Sequence, residues 1–112
     1  MKFTDRLESD VVVFSLSGRL DGGEQATRFR GRLHEYLDLN KKKVLVDLGR
    51  VVGATSPGLG LLMSVLNSVR NVNGRLVLVN DEKVEDLLVV TRLITVFEHY
   101  DDCNQAMQAL LH

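Results

Sequence analysis

The sequence predicts an α/β fold: one domain with a mostly parallel central sheet, a hairpin strand at its edge and about four helices. Three features predict it. Apolar residues alternate with period two near the start of the chain, then recur at helical spacings from Ala26 onward. Two later runs, KVLVDL and RLVLV, are nearly continuous apolar segments of the kind found in strands covered on both faces. Strand and helix patterns then alternate, which implies parallel strands joined by right-handed crossovers.

The elements follow in order. FTDRL reads as a short edge strand, and Ser9-Asp10 as the turn into VVVFSLSGRL. In that second strand Val12, Phe14, Leu16 and Gly18 share one face, while Val11, Val13, Ser15 and Ser17 share the other. Ala26, Phe29, Leu33, Tyr36 and Leu37 form a helical stripe, with Arg28, Arg30 and Arg32 on a solvated face. KVLVDL is the expected central strand. Leu59, Leu62, Met63, Leu66 and Val69 mark a second helix, which Asn73-Gly74 ends before the strand RLVLV. Asn80-Asp81 starts a third helix with Val84, Leu87 and Leu88 inward, TVFEHY holds the last strand, and Asp101 or Asp102 caps a final helix through Leu111. Cys103, Ala106, Met107 and Leu110 are its contacts. The order is β-β-α-β-α-β-α-β-α, all within residues 1–112.

Composition excludes several functions. Fourteen basic against 15 acidic residues leave a formal charge of −1, with no field to draw nucleic acid or an anionic membrane. The single cysteine, Cys103, allows no internal disulfide and reads as buried filler. MKFTDRLESD lacks the apolar core of a signal peptide, and no apolar run approaches the roughly 20 residues of a membrane span, so a cytoplasmic location is expected. His34, His99 and His112 have no metal-ligand spacing with Cys103, GATSPGLG lacks the lysine of a phosphate-binding loop, and Ser56 has no identifiable base. No cofactor and no catalysis are expected.

The stretch VVGATSPGLGLL places Ser56 between the central strand and the second helix. Local chemistry offers a plain role: Ser56 as the N-cap, with Pro57 at the first helical position where its missing N–H costs nothing. Gly58 and Gly60 then let the helix approach the sheet closely.

VDLGRVVGATSPGLGLLMSVLNSVR also resembles the signature of STAS domains, the family of sulfate transporter and anti-sigma factor antagonist domains. LSGRLDGG, KKVLVDLGRV, GRLVLVN and VFEHYDD resemble further family segments in the same order, so the resemblance covers nearly the whole chain. This compact chain is most similar to the anti-sigma factor antagonists. The resemblance implies a protein-binding module whose loop serine is phosphorylated by its partner, a serine-kinase anti-sigma factor, and restored by a serine phosphatase. Ser56 matches the phosphorylated position, and Gly58, Leu59 and Gly60 match the residues that follow. Thr55 stands where the family usually has Asp, and Pro57 where it has a second Ser. Asp21 resembles a position bordering the partner surface, although a turn or capping carboxylate is an equal reading, and Asn80 is expected to shape the same rim or to serve as a turn residue. The expected partner-binding set is Asp21, Thr55, Ser56, Pro57, Gly58, Leu59 and Asn80. A phosphate on Ser56 would face the positive end of the second helix, anchored by the N–H groups of Gly58 and Leu59. The alternative is a constitutive STAS scaffold subunit of a transporter or signalling complex, with Ser56 only a helix cap.

Overall fold

The computed structural model describes residues 1–80 and 82–112; the expected part of Asp81 in starting the third helix lies outside them. Strand β1 (Lys2–Glu8) turns into β2 (Val11–Leu20) through Ser9 and Asp10, whose φ angles of 50° and 70° belong to a tight hairpin turn. Helix α1 (Glu24–Asp38), β3 (Lys43–Ala54), α2 (Ser56–Asn71) and β4 (Arg75–Val79) follow. Then come α3 (Glu82–Val90), a 3-10 turn (Leu93–Thr95), β5 (Glu98–Tyr100) and α4 (Cys103–Leu111). The five strands lie in chain order, with β1 antiparallel to β2 and each later pair parallel.

The sheet has a core on each face. On one, Val12, Phe14 and Leu16 of β2 and Val44, Val46 and Leu48 of β3 pack with α1, α2 and α3. On the other, Val11, Val13, Leu45, Val77 and Val79 lie under Ala106 and Leu110 of α4. Helix α1 buries Ala26, Phe29, Leu33, Tyr36 and Leu37, the stripe its spacing predicts. Helix α2 buries Leu61 and Val65 besides the expected leucines, while Met63 is half-buried; contacts with both sheet and α1 widen its apolar face. Asp102 is the α4 cap, its Oδ1 accepting the Gln105 N–H at 2.8 Å.

Three expectations are corrected. β3 does not end with KVLVDL but continues through Ala54, because the far half of β2 remains available as a partner. Pairing resumes across two register shifts, with Ser17 opposite Arg50 and Leu20 opposite Ala54. β5 is only Glu98–Tyr100, since Leu93–Thr95 winds into a 3-10 turn before Phe97 enters the core. Leu87 is 36% exposed, because α3 packs through the i,i+4 pair Val84 and Leu88.

Arg32 lies on the exposed arginine face, as expected, and its head group is engaged there. Tyr36 Oη donates to Asp5 Oδ1 at 2.6 Å, Arg32 Nε donates to the same oxygen at 3.1 Å, and the guanidinium lies 4.7 Å from the Tyr36 ring centre. This latch ties α1 to the edge strand; Arg28 and Arg30 stay exposed.

Candidate functional site

β2 and β3 end together, with Leu20 opposite Ala54, so the Leu20–Gly23 loop and the start of α2 are neighbours. The Leu20 carbonyl accepts the N–H of Thr55 at 2.9 Å and the Thr55 hydroxyl at 3.4 Å. Thr55 Oγ1 in turn accepts the N–H of Gly58 at 3.2 Å, and the Thr55 carbonyl accepts the N–H of Leu59 at 3.0 Å.

That geometry corrects the reading of Ser56 as N-cap. Thr55 keeps extended dihedrals, φ −101° and ψ 171°, and carries the capping oxygen; Ser56 and Pro57 are the first two helical residues. The long β3 delivers Thr55, not Ser56, to the last extended position. Of the donors a helix leaves unpaired at its start, Thr55 N–H goes to Leu20, Gly58 N–H goes to Thr55, and Pro57 has none. The anchoring expected from Gly58 and Leu59 is therefore corrected too: both N–H groups are occupied by Thr55. Ser56 is exposed, and its hydroxyl makes no hydrogen bond among the described residues.

Gly58 sets the distance between the two loops. A Cβ there would stand 2.0 Å from the Leu20 carbonyl oxygen and 3.0 Å from the Asp21 nitrogen, so only glycine lets α2 cross this close. Gly23, with φ 106° and ψ −161°, occupies a region open essentially to glycine alone and starts α1 without a side-chain cap. Asp21 is thus not the α1 cap; it is half-buried beside Leu20 and makes no hydrogen bond among the described residues. Asp21, Thr55, Ser56, Pro57, Gly58 and Leu59 come together, with Ser56 and Pro57 exposed and Gly58 and Leu59 buried. Beside them lies a cleft of about 200 Å³ between Gly22, Pro57, Gly60 and Arg30. The place of Arg30 at this cleft has no counterpart in the linear pattern of α1.

Asn80 is not brought to this rim. Its φ is 56°, and its Nδ2 donates at 3.1 Å to Asp47 Oδ1, which also accepts the Gly49 N–H at 2.9 Å. Asp47 pairs with Ser15, five residues before Leu20 and so about 17 Å away along the strand. Cys103 Sγ lies 3.7 Å from the other Asp47 oxygen. Burial, and then the Asp47 charge, push its thiol pKa up, which suits an unreactive packing residue.

Among the described residues no helix is long and apolar enough to cross a membrane, and no three His, Cys, Asp or Glu side chains converge as metal ligands. The fold and the two joined loops define a small α/β domain with an exposed serine in the first turn of a helix. The chain belongs to the STAS domain family: the family model described as Mlab, STAS domain matches residues 3–98. A Thermotoga neapolitana protein named as a candidate anti-sigma factor antagonist is 31% identical over 108 residues, covering 95% of each chain. The crystal structure of a Thermotoga maritima candidate anti-sigma factor antagonist is similar at a TM-score of 0.86 and 28% identity, over 98% of this chain and 95% of that one. The anti-sigma factor antagonist SpoIIAA shares the fold. Its unphosphorylated form aligns at a TM-score of 0.75 and 17% identity over 97% and 96% of the two chains. Its phosphorylated form, from Bacillus, aligns at 0.74 and 18% over 96% and 98%.

Proposed function

We propose that this chain is an anti-sigma factor antagonist working by partner switching. Unphosphorylated, it binds a serine-kinase anti-sigma factor through the face of Asp21, Ser56 and Pro57, and so frees a sigma factor. The kinase supplies ATP and phosphorylates Ser56, the complex dissociates, and a serine phosphatase restores the protein. The chain itself needs no cofactor, performs no catalysis, contacts neither nucleic acid nor membrane directly, and works in the cytoplasm.

The observation that carries this reading is the division of labour between Thr55 and Ser56. Thr55 is half-buried with its hydroxyl engaged twice, so a phosphate on it would break the cap. Ser56 is exposed, and its hydroxyl makes no hydrogen bond among the described residues; the absence of a side-chain cap role supports the switch over the constitutive scaffold. A Ser56 phosphate would add roughly −1.5 to −2 charges. With the Gly58 and Leu59 N–H groups already bonded, it would project outward, and a partner surface fitted to a neutral hydroxyl would meet a dianion. A loss of about 3 kcal/mol weakens binding more than a hundredfold.

The test is site mapping by mass spectrometry on protein from its native cells, with and without serine phosphatase, followed by calorimetry against the copurified kinase. Phosphate on Ser56, full binding by Ser56→Ala and binding by Ser56→Asp weakened about a hundredfold are expected. Unchanged affinity of Ser56→Asp would refute the switch.

A further inference from the structure

The sheet face that carries α4 is only partly covered. α4 lies over Val11, Val13, Leu45, Val77 and Val79; beyond it, toward the paired ends of β2 and β3, the same face opens into a cavity of about 490 Å³. Its chemistry differs from that of the covered half. Strand register arranges six polar residues in two transverse rows: Lys2, Ser17 and Arg50, then Thr4, Ser15 and Asp47. Alternation puts Lys2, Thr4, Ser15, Ser17 and Asp47 on this face, and the register shift between Ser15 and Ser17 adds Arg50 by setting it opposite Ser17.

The rows divide the work of recognition. Lys2 and Arg50 flank Ser17 from strands about 10 Å apart, a span that two long cationic side chains close over one oxyanion. Neither cation makes an ion pair or a side-chain hydrogen bond among the described residues, unlike Arg32, Lys41 and Arg75. The second row offers two hydroxyls and a carboxylate. Asp47 is held in place through Oδ1 by Asn80 and the Gly49 N–H, and its Oδ2, which faces the Cys103 thiol at 3.7 Å, keeps one further lone pair for a donor. Cations beside uncommitted hydroxyls and a fixed acceptor match an anion that also carries hydroxyl groups. A bare anion would leave the open lone pair of Asp47 unused, and a neutral polyol would leave the two cations without a counter-charge.

We infer that this cavity binds a small polyol bearing an oxyanion, of the sugar phosphate or sugar acid class. The oxyanion sits between Lys2 and Arg50 over Ser17, and a hydroxyl of the polyol donates to Asp47. The site is separate from the Ser56 face, and its occupancy does not depend on the partner-switching reading.

The test is a titration of the isotope-labelled full chain with glucose 6-phosphate, gluconate, inorganic phosphate and glycerol, followed through backbone amide resonances. Saturable shifts at Lys2, Ser15, Ser17 and Arg50 are expected for the first two probes, with dissociation constants at least about tenfold below that of inorganic phosphate. Arg50→Gln and Lys2→Gln, whose amide spectra elsewhere report an intact fold, should each weaken binding about tenfold. Inorganic phosphate binding as tightly as glucose 6-phosphate would refute the role of Asp47 and the hydroxyls. Glycerol binding as tightly would refute the cation clamp. Shifts confined to other surfaces, or no saturation of either anionic polyol by roughly 20 mM, would overturn the site. A difference between glucose 6-phosphate and gluconate assigns the oxyanion as phosphate or carboxylate, and binding of either in the expected place supports it.

Discussion

Replacing Gly58 with alanine tests the construction of the Ser56 face most directly. The added Cβ would stand 2.0 Å from the Leu20 carbonyl oxygen and 2.5 Å from its carbon, well inside the ~3.5 Å at which heavy atoms pack. Both atoms are backbone within a paired strand, so no rotamer change relieves the overlap. Helix α2 must retreat, and the Thr55 N–H bond to Leu20 stretches from 2.9 Å. Overpacking costs about 1–3 kcal/mol, and each weakened hydrogen bond up to about 1 kcal/mol. Alanine returns about 1 kcal/mol of helix propensity, leaving a net loss of about 1–3 kcal/mol when the bond is lost in full, or roughly 4–12 °C in Tm for a chain of this length. Gly60→Ala is the internal control. It lies two residues along the same helix, and a Cβ there meets nothing within 4 Å, so the same substitution should stabilise by about 0.5–1 kcal/mol. Urea and thermal unfolding of both variants provide the assay. Equal stability changes, or a Gly58→Ala protein as stable as wild type, would refute the close crossing.

Three further predictions concern the cap and the latches. Thr55→Ala should lose about 1–2 kcal/mol of unfolding free energy in urea, while Ser56→Ala stays within about 0.5 kcal/mol of wild type; the reverse order would return the cap to Ser56. Arg75 donates to both Glu98 oxygens, at 2.8 and 2.6 Å, and holds the Glu98 pKa down. The stability this gives is present above the unfolded value of about 4.3 and fades as pH falls through the lower folded value, so Glu98→Gln should flatten the acid limb of a stability–pH curve. The bond to Asp5, and then burial, raise the Tyr36 pKa. Stability therefore declines as pH climbs above the unfolded value of about 10 toward the folded one, and Tyr36→Phe should remove that part of the alkaline loss in denaturant titrations.

Patterns set by short-range periodicity were legible in the sequence, and features set by pairing between distant segments were not. The α1 stripe from Ala26 to Leu37 follows from a 3.6-residue repeat and needs no knowledge of what it packs against. The length of β3 depends on whether β2 still offers unpaired backbone beyond Ser15, which no pattern within KVLVDL records. That one extension moves the cap from Ser56 to Thr55, because the N-cap is whichever residue remains extended when the helix begins. It also separates Asn80 from the Ser56 rim, since β4 stops opposite Asp47 while β2 and β3 run on together. Asp21 and Ser56 belong to one face for the same reason. Their loops leave adjacent strand ends, and Gly58 lets them touch.

The replacement of a carboxylate and a second serine by Thr55 and Pro57 therefore has a physical reading at this site. A threonine hydroxyl both donates to Leu20 and accepts from Gly58, whereas an ionised aspartate accepts only; Thr55 can join the strand end and the helix start at once. Pro57 fixes φ in the first turn and offers no N–H to an anion on Ser56. Together they give a loop whose Thr55, Gly58 and Leu59 N–H groups are already bonded, so most of the electrostatic cost of a phosphate on Ser56 would fall on whatever docks against the loop and not on the helix that carries it. Thr55→Asp with Pro57→Ser should reverse this by adding a backbone N–H and a hydroxyl beside the phosphate while withdrawing the donor to Leu20. The doubly substituted protein is expected to show a larger backbone amide shift at residues 56–58 on Ser56 phosphorylation than the wild-type loop; equal shifts in the two would show that the loop does not govern where the phosphate points.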